Sequence, residues 1–84
     1  METHSFTLIL SGPNPLEREH LDALFEAGCG DALFGEQDGV YFADFHREAA
    51  SFGEAVGSAI RAVEKAVPEL KVIRVEREAL AASA

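Results

Sequence analysis

The chain has 84 residues, of which 48% are hydrophobic. This length supports one domain, and the hydrophobic share is typical of a folded globular protein rather than a disordered one. Fifteen acidic residues against seven lysines and arginines give a formal net charge of -8 at pH 7. Because such a charge repels phosphate backbones and anionic lipid surfaces, nucleic acid is a disfavoured partner.

The sequence also indicates a soluble, cytoplasmic protein. No apolar run approaches the roughly 20 residues of a membrane span, so no membrane association is predicted. Residues 1–4 have neither the basic start nor the apolar core of a signal peptide. Cys29 is the single cysteine and cannot form an internal disulfide, which agrees with a reducing compartment. We expect Cys29 to be a buried structural thiol.

The first half of the chain reads as a strand, a helix and a second strand. An apolar run at residues 6–10 predicts the first strand. Residues 15–27 predict the helix, with Asn14 as its capping residue and Gly28 as its left-handed end. The helix side chains expected to face the core are Leu21, Leu24 and Phe25.

The second half of the chain repeats this order. Residues 40–45 predict the third strand, residues 52–67 the second helix and residues 72–75 the fourth strand. Ser51 stands at the start of a capping box for the second helix, and Pro68 ends that helix.

Asp38-Gly39 separates the second and third strands and predicts a tight hairpin between antiparallel neighbours. The β-α-β-β-α-β order then predicts an α+β fold of the ferredoxin-like type. In that fold a four-stranded antiparallel sheet, in the order 4-1-3-2, carries two helices on one face. The charged residues of the fourth strand suit a protected edge. We expect residues 1–84 to form this single domain, with residues 79–84 as a frayed tail.

Two helices can cover only one face of such a sheet. Period-two alternation separates the residues of the third strand, and we assign Asp44 and His46 to the uncovered face because burying them unpaired would be costly. The apolar residues that share this uncovered face are Val40 and Phe42, with Ile9 or Leu8 from the first strand. An exposed apolar patch of this kind predicts a homodimer or a protein partner, bound through the open face or a sheet edge.

One polar cluster could carry chemistry. If the first and third strands are antiparallel neighbours, His4 comes close to Asp44 and His46. Two imidazoles and a carboxylate can bind zinc or exchange protons near neutral pH. The alternative is that these are solvated residues at the rim of the sheet. The sequence contains no nucleophile elbow, P-loop or paired-cysteine motif, and no cofactor is predicted.

The run at residues 6–10, followed by Asn14-Pro15-Leu16 and by residues 24–28, resembles ACT-type regulatory domains. Members of that family have the same strand order, associate side by side and bind amino acids at the loop after the first strand. The resemblance implies an amino-acid sensor whose pocket is lined by Gly12, Asn14 and Leu16.

Residues 22–32, together with residues 38–40 and 44–49, are similar to a group of small uncharacterised bacterial proteins. In some members a helix-turn-helix segment follows this domain, which implies a regulatory or antitoxin-like context. Within this stretch, Arg47 and Glu48 predict a solvated turn. We therefore expect a non-catalytic interaction or dimerisation module, with the amino-acid sensor as an alternative. An enzyme or metal site at the polar cluster is a further alternative.

Overall fold

The computed structural model describes residues 1–77 of the chain. Along the chain its elements are β1 (Glu2–Ser11), α1 (Arg18–Glu26), β2 (Ala32–Gln37), β3 (Val40–Ala49), α2 (Phe52–Ala66) and β4 (Lys71–Arg77). The predicted frayed tail at residues 79–84 lies outside the described residues.

The four strands form one antiparallel sheet in the order β2-β3-β1-β4. This confirms the predicted 4-1-3-2 order and the ferredoxin-like α+β fold, with both helices on the same face. The central strands β1 and β3 are longer than predicted, because Glu2 already pairs with Ala49 and the pairing continues to Leu10 and Tyr41. The added positions are largely polar, so their hydrophobicity did not mark them as strand.

The second half of the chain follows its local signals closely. The Ser51 side chain accepts a hydrogen bond from the Glu54 N–H at 3.2 Å, which confirms the predicted cap of α2. Asp38 and Gly39 have φ values of 54° and 82°. Two successive positive φ values are those of a tight type I′ hairpin turn, as predicted between β2 and β3.

The start of α1 differs from the prediction. The helix begins at Arg18 rather than at Pro15, so Asn14 is not its cap. The Asn14 side chain instead accepts a hydrogen bond from the Leu16 N–H at 2.8 Å and closes a local turn. The capping position is held by Glu17, whose side chain makes no capping hydrogen bond.

The end of α1 agrees with the prediction. Gly28 has φ 100°, and its N–H donates to the Phe25 carbonyl while the Cys29 N–H donates to the Leu24 carbonyl. This pair of bonds is the Schellman motif. Cys29 is thereby placed in the core, whereas Phe25 is 62% exposed, so the expectation that Phe25 faces the core is wrong.

The core lies between the sheet and the helix layer. Phe6 and Phe45 stack at its centre with ring centroids 5.4 Å apart. The fully buried side chains around them include Leu8, Leu24, Ala43, Ala55, Ala59, Val63 and Leu70. Gly12, at φ 129°, lies so close to the turn before β4 that an added Cβ would sit 2.5 Å from the Glu69 carbonyl oxygen. Among the described residues, no helix is both long and apolar enough to cross a membrane.

Candidate functional site

The face of the sheet turned away from the helices, here called the open face, has no covering element within residues 1–77. The strand register places alternate residues of each strand on it. Its central residues are Ser5, Thr7 and Ile9 of β1 with Val40, Phe42, Asp44 and His46 of β3. The flanking strands add Leu33, Gly35 and Gln37 of β2 with Arg74 and Glu76 of β4.

An apolar patch occupies one end of the open face. Ile9 and Phe42 lie directly opposite each other on the two central strands, and both are half-buried. Val40, the neighbouring open-face residue of β3, is 44% exposed, whereas Leu33, at 70% exposed, lies opposite Asp44 and so belongs to the other end of the face. The structure thus places all three predicted interface residues on this face. Of the two first-strand candidates it selects Ile9, because Leu8 is fully buried under the helices.

Phe42 also has a role within its own chain. An added Cβ on Gly35 would lie 2.6 Å from the Cζ atom of Phe42, so the aromatic ring lies directly over the glycine of the neighbouring strand. An aromatic side chain in this position shields the glycine backbone and stabilises the strand pair. Part of the Phe42 surface is therefore already used, and Ile9 and Val40 carry more of the patch than the sequence indicates.

The other end of the open face is polar and internally paired. The Ser5 hydroxyl lies 2.9 Å from Nδ1 of His46, and the Thr7 hydroxyl donates to the Asp44 carboxylate. Both pairs join residues that are directly opposite in the register. Cross-strand pairs of this kind stabilise the sheet. On β4, Arg74 and Glu76 form an ion pair at 2.9 Å.

His4 does not join Asp44 and His46, so the predicted polar cluster is wrong. The register places His4 opposite Arg47, on the helix-covered face, while the other two residues lie on the open face. Its Nε2 is 3.3 Å from the Ala49 carbonyl oxygen, and its ring packs edge-on against the α2 layer. The strand ends do meet as predicted, but alternation puts the side chains on opposite sides of the sheet.

A different group of side chains comes close enough to share a metal ion within residues 1–77. The ligand atoms of Glu17, Glu19 and His20 all lie within 4.8 Å of one another at the start of α1. Both carboxylates are exposed, and Nδ1 of His20 lies 2.7 Å from the Asn14 carbonyl oxygen, to which it donates. This arrangement is that of a solvated helix start.

Gly12, Asn14 and Leu16, which the ACT-type resemblance implies as pocket residues, make local contacts in the structure. Gly12 packs against the Glu69 backbone, the Asn14 side chain is bonded to the Leu16 N–H, and Leu16 is 37% exposed. A shallow concavity of about 440 Å³ lies on the open face, where its lining includes Ile9 and Phe42.

Arg47 is a structural clamp, and the prediction of a solvated turn there is wrong. Its Nε and Nη2 donate to both carboxylate oxygens of Asp31 at 2.8 and 3.0 Å. Nη2 also donates to the Gly28 carbonyl at 2.6 Å and Nη1 to the Ser58 hydroxyl at 3.0 Å. The hydrogen bonds that Arg47 donates to the Asp31 carboxylate raise the pKa of Arg47 above its ordinary value. The Asp31 carboxylate neutralises the Arg47 guanidinium, which disfavours the binding of an anion there. The guanidinium instead connects β3, α2 and the loop after α1.

Cys29 is a buried thiol, as expected, and lies close to this clamp. Burial raises the pKa of its thiol to about 11, and the Asp31 carboxylate acts in the same direction while Arg47 opposes it. A thiol held protonated in this way is a poor nucleophile and a poor metal ligand.

Comparison with known proteins assigns no family. Models of protein families, curated proteins and solved structures gave no significant match to this chain. What the chain can do is therefore judged from the residues of its open face.

Proposed function

We propose that this chain is a non-catalytic protein-interaction module, regulatory in role, that binds a polypeptide through the open face. The observation that carries this proposal is the uncovered apolar patch, in which Val40 is 44% exposed beside the half-buried Ile9 and Phe42. Removing apolar surface from water stabilises a complex by about 25 cal/mol for each Å² buried. A partner that covers this face gains from the patch without disturbing the core beneath it.

The polar end of the open face supports the same function. Ser5 and Thr7 are already paired with His46 and Asp44 across the central strands. Polar groups that already hydrogen-bond to one another can lie at the border of an interface without losing a hydrogen-bond partner when water is excluded. Their mutual pairing also favours a binding surface over an acid–base site.

We place this interaction in the cytoplasm. The support is Cys29, a lone thiol that is buried and held protonated by its surroundings, in a chain that has no second cysteine to pair with it. Such cysteine usage is typical of proteins in reducing compartments.

Site-specific photo-crosslinking in living cells tests the proposal. The photoreactive residue p-benzoylphenylalanine replaces Val40 on the open face or, as a matched control, Phe25 on α1. Both positions are exposed, at 44% and 62%, so neither replacement disturbs the core. We expect a discrete adduct after irradiation from position 40 and none from position 25. If position 40 gives no adduct, or if both positions give the same adducts, the open face is not a binding surface.

A further inference from the structure

We infer that the occupant of the open face is a second copy of this chain, related to the first by a two-fold axis. This inference rests on the proposed function, since it names the partner of the same surface. Three features of the described residues carry it: the position of the apolar patch, the arrangement of charge and the area of the face.

The apolar patch lies where a two-fold axis can pass. Ile9 and Phe42 are directly opposite each other on β1 and β3, the two central strands, so their pair marks the midline of the sheet. An axis along the strands through this midline places Ile9 of one copy against Phe42 of the other, and the reverse. Symmetric dimers require this kind of self-complementary contact.

The same axis places no charged side chain directly over its own equivalent. It lays β1 of one copy over β3 of the other, so that Asp44 faces Thr7 and His46 faces Ser5 rather than their own equivalents. β4 then lies over β2 of the other copy. There Arg74 and Glu76 meet a strand whose open-face residues, Leu33, Gly35 and Gln37, carry no charge.

Of the net charge of -8, the two helices carry -2, because their five carboxylates are offset by Arg18, Arg61 and Lys65, and this part of the charge does not oppose the association. The acidic residues of the two helices are Glu19, Asp22, Glu26, Glu54 and Glu64, all on the side away from the open face. Stacked layers lie about 10 Å apart, so the helix layers of two copies would be about 30 Å apart. That separation is several times the roughly 8 Å over which salt screens charges at physiological ionic strength.

The open face is large enough for a weak dimer. Strands of 10, 6, 10 and 7 residues, spaced about 4.8 Å apart and rising about 3.4 Å per residue, give a face of roughly 540 Å² on each copy. Two such faces bury at most roughly 1,100 Å² in total, which is just below the range of stable specific interfaces and within that of weak ones. A small domain also gains from association, because its own core buries a limited share of its surface. We therefore expect a dimer that forms at micromolar rather than nanomolar concentrations.

Sedimentation equilibrium of the full chain tests the inference. Between about 5 and 500 µM the average mass should rise from the monomer mass of 9.0 kDa toward twice that value, as mass action requires. Ile9→Lys should weaken association by at least about 10-fold, because it replaces the apolar contact with Phe42 of the other copy by an ammonium group that would have to lose its water. Val40→Lys, at an exposed position, should weaken it without loss of fold. Phe25→Lys on α1 is the matched control and should dimerise like the parent chain.

The following outcomes would overturn the inference. A mass of 9.0 kDa at every concentration would mean that the chain does not self-associate. A dimer that survives both Ile9→Lys and Val40→Lys, with the fold verified by circular dichroism, would use another surface such as a sheet edge. If the chain is monomeric but position 40 still crosslinks to a different protein in cells, the proposed function stands and only the identity of the partner is wrong. If position 40 crosslinks to nothing, both fail.

Discussion

Replacing Arg47 by methionine tests whether one partly buried clamp holds the end of the sheet to the helix layer. Methionine keeps most of the side-chain volume but removes the guanidinium, and with it the two bonds to Asp31 and the bonds to Gly28 and Ser58. It also removes the cation that lies 5.1 Å from the centre of the Phe45 ring. The substitution therefore removes a contact that is shared by β3, α2 and the loop after α1.

The expected cost follows from the exposure of the two partners. The side chain of Arg47 is 13% exposed and that of Asp31 is 32% exposed. Because water can still reach Asp31, the carboxylate is rehydrated rather than stranded, and the cost falls below the roughly 3–5 kcal/mol of a fully buried pair. We expect the free energy of unfolding to fall by about 2–3 kcal/mol. In a domain of this size that corresponds to a melting temperature lower by roughly 10–20 °C.

Urea and thermal denaturation followed by circular dichroism measure this change. Arg61→Met is the matched control, since Arg61 is exposed on α2 and its loss should cost less than about 0.5 kcal/mol. A double-mutant cycle with Asp31→Asn should give a coupling energy of at least about 1 kcal/mol. If Arg47→Met costs no more than Arg61→Met, Arg47 behaves as the solvated turn residue that the sequence suggested, and the clamp is refuted.

Two further changes probe the core and the turn before β4. The folded-state pKa of Cys29, about 11, lies above that of an unfolded thiol. The free energy of unfolding should therefore be at its highest below about pH 8 and should fall as the pH rises toward 11. Urea titrations at both ends of this range should show a loss of about 2 kcal/mol relative to Cys29→Ala. Gly12→Ala should lower stability by about 2–4 kcal/mol, because its Cβ meets backbone at positive φ. Gly53→Ala, with open space around it on α2, should raise stability by up to about 1 kcal/mol; equal effects would contradict the packing argument.

The β2–β3 hairpin and the second helix could be predicted because their determinants are local. Asp38-Gly39 encodes the hairpin through two positive φ values, and Ser51 caps α2 with its own side chain. The start of α1 was missed because Asn14 closes a turn with its side chain instead of capping the helix, and both uses satisfy the same kind of backbone donor. The polar ends of β1 and β3 were missed because tertiary pairing, not hydrophobicity, makes them strands.

The face on which a candidate residue lies could be predicted where it depends only on the alternation of side chains along a strand. His46 and Asp44 lie on the open face as assigned, but His4 shares the alternation of Phe6 and Leu8 and was therefore bound to face the helices. That signal was present in the sequence. The partners of Arg47 could not be predicted from the sequence, because they come from separate elements that meet only in the folded chain.

The contact between Phe42 and Gly35 changes what the open face can do. Because the Phe42 ring already covers a glycine of its own chain, the monomer protects its largest open-face side chain without a partner. A second copy then gains mainly from Ile9 and Val40, and less area means weaker binding. This favours a monomer that folds independently and associates only as its concentration rises, which suits a regulatory module better than a permanent dimer. It also makes Ile9, rather than Phe42, the residue whose replacement separates binding from folding.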